Sequence, residues 1–223
     1  MALRAFSTLE PIIAASAPGC PTPTIIKYIR EAAIDACERT LYWRYRPSDI
    51  ALTPLQSTYS YPTIVDGVTT LDVDVHAILK AVLVDGPALE PMALDFAVKR
   101  FPQWDAVDQA SQPQVICQLS TKQYILLPKP EAGSSYDLTL TLVLKPSRVA
   151  TAMDAVTFNE LEDAITHNTL QRLLLMPDQN WSDRDGAAYH MREYMAKLTE
   201  RRARANLGNM RGPMTVRRAF FGA

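Results

Sequence analysis

Apolar residues recur at spacings of three and four in three long windows, 24–46, 147–176 and 178–212. In much of the stretch between the first two they alternate singly. The first period belongs to a helix and the second to a strand, because side chains return to one face every 3.6 residues on a helix and every second residue on a strand. Prolines avoid the same three windows, and ten of the 16 fall between Pro47 and Pro146. Since proline interrupts helix interiors and central strands, the pattern predicts three long helices and a loop-rich middle.

The first long helix is expected to open at Thr22-Pro23, with Thr22 as N-cap and the proline where a missing N–H costs nothing. Ile26, Ile29, Ala33, Cys37 and Leu41 form its predicted buried stripe, and it stops near Tyr42–Arg46, before Pro47. The second starts at Thr157, which with Glu160 three residues on predicts a capping box, bracketed by Val156 and Leu161 as a hydrophobic staple. Phe158, Leu161, Ile165, Thr169, Leu173 and Met176 line its inner face up to Pro177. The third begins at Ser182 with Asp183 and Asp185 in its first turn. It carries Ala188, Met191, Met195 and Leu198 inward and closes on Arg201, Arg202 and Arg204 before Gly208. Acid at its start and base at its end complement the helix dipole.

Residues 48–148 read as β. The predicted strands are His76–Val84, Val115–Leu119, Gln123–Leu127 and Tyr136–Leu144. In the last, Leu138, Leu140, Leu142 and Leu144 alternate with Thr139, Thr141 and Val143, so one face is buried. Ser120-Thr121-Lys122 is a short hairpin loop, Pro128–Ser135 a longer turn around Gly133, and Asp85-Gly86-Pro87 a further turn. Pro91–Phe101 is a candidate short helix over the sheet. The expected class is α+β: a discontinuous three-helix domain (22–47 and 149–208), an inserted, mainly antiparallel β domain (48–148), an N-terminal arm (1–21), ordered or loose, and an extended C-terminal tail (209–223).

Composition adds limits. With 223 residues, 48% hydrophobic and 21% charged, the chain fits one large domain or two small ones and is too apolar for wholesale disorder. No run approaches the roughly 18 apolar residues of a spanning helix. Arg4 and the apolar stretch after it imitate a secretory signal, but Glu10 and Pro11 interrupt it. Cys20, Cys37 and Cys117 are odd in number and far apart, which suits a reducing compartment. The net charge of −1 is unevenly spread: from Met191 onward eight Lys/Arg face two Glu, leaving −7 on the rest. A basic end on an acidic body predicts an acidic partner for that end.

Motifs for chemistry are missing. No Cys-x-x-Cys, His-Glu-x-x-His, nucleophile elbow, phosphate-binding glycine loop or dinucleotide fingerprint occurs, so no catalytic residue, metal ligand or cofactor is assigned. His167 and His190 can meet across two packed helices, though satisfied or surface histidine is the preferred reading. Asp72 and Asp74 share a strand face and read as solvated in preference to a weak cation site. Cys37 and Cys117 occupy core-type positions that do not activate a thiol. Tyr42, Trp43 and Tyr45 interleave with Arg44 and Arg46, a pattern able to stack single-stranded nucleic acid. The preferred reading is a helix end anchoring the β domain, with Trp104 and Trp181 as packing plugs.

The last fifteen residues are unusual for a free tail, because two adjacent phenylalanines end it. Met214-Thr-Val216 and Ala219-Phe-Phe221 flank Arg217-Arg218, which suits docking into a partner groove, with refolding onto its own helices as the alternative.

A helix, an inserted β region, two more helices and a docking tail resemble the head-to-tail adaptor (connector) proteins of tailed bacteriophages, most of all the tail-tubular-protein-A kind. The residues carrying the resemblance are the Ala/Ile helix ending at Tyr42-Trp43, Asp85-Gly86, Phe101-Pro-Gln-Trp104, Tyr124-Ile-Leu-Leu-Pro128, Leu144-Lys-Pro146, and Arg172–Pro177 leading to Trp181. The resemblance implies a structural virion protein without catalysis, at the head–tail interface and assembled in the host cytoplasm. Its partners would be copies of itself in a ring, usually twelvefold, the portal protein, downstream tail or nozzle proteins, and genomic double-stranded DNA passing by without specific contact. It involves no membrane. Arg211, Met214, Val216, Arg217, Arg218, Phe220 and Phe221 then become the portal-docking set. The rival function is a cytoplasmic nucleic-acid-binding protein that uses the basic C-terminal helix and tail.

Overall fold

The computed structural model describes residues 2–66, 69–106 and 110–207. Five helices occur among them where three long ones were expected: α1 (Glu10–Ser16), α2 (Thr22–Thr40), α3 (Leu94–Arg100), α4 (Ala155–Leu174) and α5 (Arg184–Leu207). The long windows became α2, α4 and α5, and α3 lies within the candidate helix at Pro91–Phe101. The first helix escaped the sequence pattern because Pro11 looked like an interruption. It sits in the first turn of α1, where proline is tolerated. The N-terminal segment is ordered: Phe6, Leu9 and Ile13 are fully buried in the main core. Its short strand β1 (Leu3–Ala5) pairs with β12 (Ala152–Asp154) just before α4.

α2, α4 and α5 pack together, α4 antiparallel to both neighbours, as the contacts Asp35–Asn168 with Glu31–Arg172, and His167–His190 with Asp163–Lys197, require. The buried stripe of α2 is Ile25, Ile29, Ala32, Ala33, Ala36, Cys37 and Thr40. The expected stripe shared Ile29, Ala33 and Cys37 but drifted at both ends, since repeated four-residue steps overrun a period of 3.6. Pro21, not Thr22, stands at the N-cap, and the Thr22 hydroxyl donates to Glu10 at 2.6 Å. α2 ends as Leu41 takes a left-handed conformation with φ of 52°.

α4 is capped one turn earlier than expected. Asp154 accepts from the Thr157 backbone N–H at 2.9 Å and from its hydroxyl at 2.8 Å, so Thr157 is a donor and there is no capping box. Val156 is 68% exposed and staples nothing. The predicted inner face of α4 holds, with Phe158, Leu161, Ile165, Thr169 and Leu173 all buried. For α5 the face is shifted: Ala187, Tyr194, Leu198 and Ala205 point inward, while Ala188, Met191 and Met195 are exposed.

Residues 44–146 contain a curled, mixed sheet. Its strands are β2 (Arg44–Tyr45), β3 (Ile50–Ala51), β4 (Thr58–Ser60), β7 (Val73–Leu83), β8 (Ala88–Pro91), β9 (Val115–Gln118), β10 (Gln123–Leu127) and β11 (Asp137–Pro146). The order is β2-β11-β7-β8-β9-β10-β4, with β3 also on β11. A separate two-stranded ribbon pairs β5 (Val65–Asp66) with β6 (Thr69–Thr70). The sheet is mainly antiparallel, as expected, with the parallel pair β8 and β9 making it mixed. Its curl into a half-barrel is visible in the chain itself: residues 52–57 lead from β3 on one margin to β4 on the other. Leu52 donates to Tyr136 beside β11, and Leu126 of β10 donates to Ser57. Leu138, Leu140, Leu142 and Leu144 are fully buried on one face and Val143 is buried on the other, while two register shifts leave Leu79 and His76 of β7 as extra residues opposite β11. Ala97 of α3, with Phe101 and Trp104 just after it, packs on β9 and β10 against Val115, Cys117, Ile125 and Leu127.

Candidate functional site

The docking set predicted from sequence, Arg211, Met214, Val216, Arg217, Arg218, Phe220 and Phe221, lies outside the described residues. What the structure describes is the base from which that segment departs, α5 and the two helices holding it.

Three helices meet at one carboxylate. Asp35 on α2 accepts from Tyr194 Oη on α5, from Asn168 Nδ2 on α4 at 3.1 Å and from Arg39 Nε at 3.0 Å. The chain of contacts continues from Asn168 to Arg172 at 3.0 Å and from Arg172 to Glu31 at 3.3 Å. Burial, and then the bond to Asp35, push the Tyr194 hydroxyl well above the usual phenol range, so it stays a donor at neutral pH. Sequence reasoning missed these residues. The available signal was Tyr194, seven residues after Ala187 and four before Leu198 on the same helical face.

Next along the seam, His167 and His190 do meet, with Nδ1 atoms 2.8 Å apart. Burial holds both imidazoles below their ordinary 6.5. Proximity to His167 lowers His190 further, while Glu193 opposes the shift at both rings. One ring must donate and the other accept, so the neutral pair is a hydrogen bond between helices. Farther on, Lys197 reaches Asp163 at 3.3 Å, and Arg201 pairs with Glu160, the residue expected to cap α4. Arg204 pairs with Glu200 at 2.7 Å and approaches Glu160 at 3.9 Å.

The remaining candidates are structural. Trp43 is 2% exposed in the main core, with Tyr42 and Tyr45 packed against it, so this cluster cannot stack a base as it stands. Asp74 is engaged by Lys122 at 2.9 Å and Asp72 stays at the surface, so the two do not form a cation site. Cys37 is fully buried, and its thiol is pushed far up by burial and by Glu38. Burial also raises Cys20 and Cys117. None is an activated nucleophile. A cleft of about 660 Å³ between α2 and the end of β11 is lined by Lys27, Arg30, Glu38, Lys145, Arg148 and Arg172, among others. Glu38 and Lys145 neutralise each other across it at 2.6 Å. Among the described residues no group of three or more His, Cys, Asp or Glu is placed to hold a metal ion, and no helix is long and apolar enough to cross a membrane.

The arrangement ties the long helix α5 to α2 and α4 through paired side chains. No curated protein matches the sequence. Residues 8–217, nearly the whole chain, match the family model described as SU10 adaptor protein, and the chain belongs to that family.

Proposed function

We propose that this member of the SU10 adaptor family, a phage adaptor and so a structural component of the virion, forms a ring under the portal vertex. The ring is twelvefold, docks to the portal through residues 209–223, and gives DNA a passage to the tail. The family match over residues 8–217 carries the reading. Support comes from α5, which is tied to α2 and α4 along its length and ends at Leu207, next to the basic, phenylalanine-bearing segment. The charge of −7 before Met191 suits a lumen that must not retain phosphates by counterion release. The finer likeness to the tail-tubular-protein-A kind is part of the same proposal.

The test is the amount of this polypeptide in purified virions relative to portal subunits, measured by mass spectrometry. A ratio near one to one supports the matched ring, and absence from the particle refutes it. Deleting Asn209–Ala223 should then leave a folded chain that no longer joins the portal. The rival, nucleic-acid binding through Arg201–Arg218, predicts DNA affinity that falls steeply with salt. Two of its cations, Arg201 and Arg204, are already engaged by Glu160 and Glu200.

A further inference from the structure

α5 carries two seams, and the described residues cover only one of them. The covered seam runs through Ala187, Tyr194, Leu198 and Ala205, with His190 and Arg201 contributing bonds to α4. The second runs Arg184, Ala188, Met191, Met195, Leu198, Arg202, an unbroken alternation of four- and three-residue steps. That 3.5-residue period keeps a strip of side chains facing a neighbouring helix. Leu198 belongs to both seams and is buried. The rest of the second seam is exposed, Met191 at 47% and Met195 at 40%. This explains why the pattern placed Ala188, Met191 and Met195 inward: they are spaced for packing, but among the described residues they are left exposed.

The seam is also cationic. Arg184, Arg192 and Arg202 are exposed and make no ion pair among the described residues, in contrast to Lys197, Arg201 and Arg204. Within α5, Arg184–Leu207, six Lys/Arg stand against three Asp/Glu, +3, while residues 1–183 carry −7. A surface that fits the seam offers apolar contact with acid around it, and the first 183 residues of another copy carry charge of the opposite sign.

We propose that the Arg184–Arg202 seam of α5 is a subunit–subunit surface, seated on the acidic body of a second copy of this chain. The contact is heterologous, one patch against a different patch, the kind of contact that generates a ring where the rotation between copies closes. The methionines supply adaptable apolar contact and the arginines hydrogen bonds to carboxylates. The proposal rests on the ring reading above and specifies which side of the subunit faces its neighbour.

The test places the photo-crosslinking residue p-benzoylphenylalanine at position 195 of the full chain in phage-producing cells, irradiates, and identifies products by mass spectrometry. The expected product joins two copies, with the acceptor peptide within residues 1–183. Crosslinks only to portal or tail subunits, only within one chain, or to nothing overturn the proposal. In parallel, Met191→Glu with Met195→Glu should lower the copies per portal in virions by about tenfold or more. The far-UV circular dichroism and melting temperature of the purified variant should match wild type, because both positions are exposed. A soluble, folded variant incorporated at the wild-type ratio also overturns the proposal. Absence of the wild-type chain from particles would instead remove the ring reading itself, so the two failures are distinguishable.

Discussion

The Tyr194 hydroxyl donates to the Asp35 carboxylate, joining α5 directly to α2 beside their shared neighbour α4. The same carboxylate takes Asn168 of α4, so one side chain registers three helices that are far apart in sequence. A charged acceptor inside a helical seam is tolerated only while donors surround it. That dependence makes the position of α5, and of everything it carries, sensitive to this bond.

Tyr194→Phe keeps the ring and removes the donor. It should cost about 1.5–3 kcal/mol, the range for a hydrogen bond to a charged group. Urea denaturation followed by circular dichroism checks it, with an unchanged slope showing that only stability moved. An unaltered midpoint would mean that the bond contributes nothing.

The histidine pair sets an acid limit. Both imidazoles titrate below their ordinary 6.5 in the folded chain, chiefly through burial, so the unfolded chain binds protons more readily. The contribution is fully present above pH 6.5 and is lost as pH falls through the lowered folded values. Melting temperature should therefore drop between pH 6.5 and lower values, and His167→Gln with His190→Gln should flatten that slope. The acids facing the pair, Asp163, Glu193 and Asp183, and the cation Lys197 stay in place in the variant.

At the start of α4, Asp154→Ala should destabilise by about 0.5–2 kcal/mol through loss of the cap. Glu160→Gln should cost under about 1 kcal/mol, because it weakens a partly exposed ion pair with Arg201 and leaves the cap intact. Thermal unfolding of both variants decides between Asp154 and a capping box, which predicts the reverse order.

In the sheet, Leu140→Ala removes a fully buried side chain and should cost about 2–5 kcal/mol. Val156→Ala, read from sequence as half of a staple, should fall within about 0.5 kcal/mol of wild type. Denaturant midpoints give both values.

Sequence by itself determined the elements whose signals are local. Proline-free windows marked α2, α4 and α5, because a ring that cannot donate an N–H excludes itself from helix interiors. Single alternation marked β11, because successive side chains on a strand face opposite ways. The motifs from Tyr42-Trp43 to Trp181 were enough to suggest a phage adaptor, the level at which the family match stands. Tertiary structure decided what depends on distant partners. The N-terminal segment around Pro11 is ordered because Phe6, Leu9 and Ile13 fill the core, a placement that no local pattern encodes. Glu160 was drawn from a capping role by Arg201, forty-one residues on, while Asp154 took the cap. The curl of the sheet came from joining β3 and β4 to its opposite margins, a pairing that no local pattern encodes. On α5 two apolar seams compete, and periodicity cannot rank them. Tyr194 bonding to Asp35 buried one seam and left Met191 and Met195 facing outward, because burying a polar tip requires a partner that only the folded chain supplies.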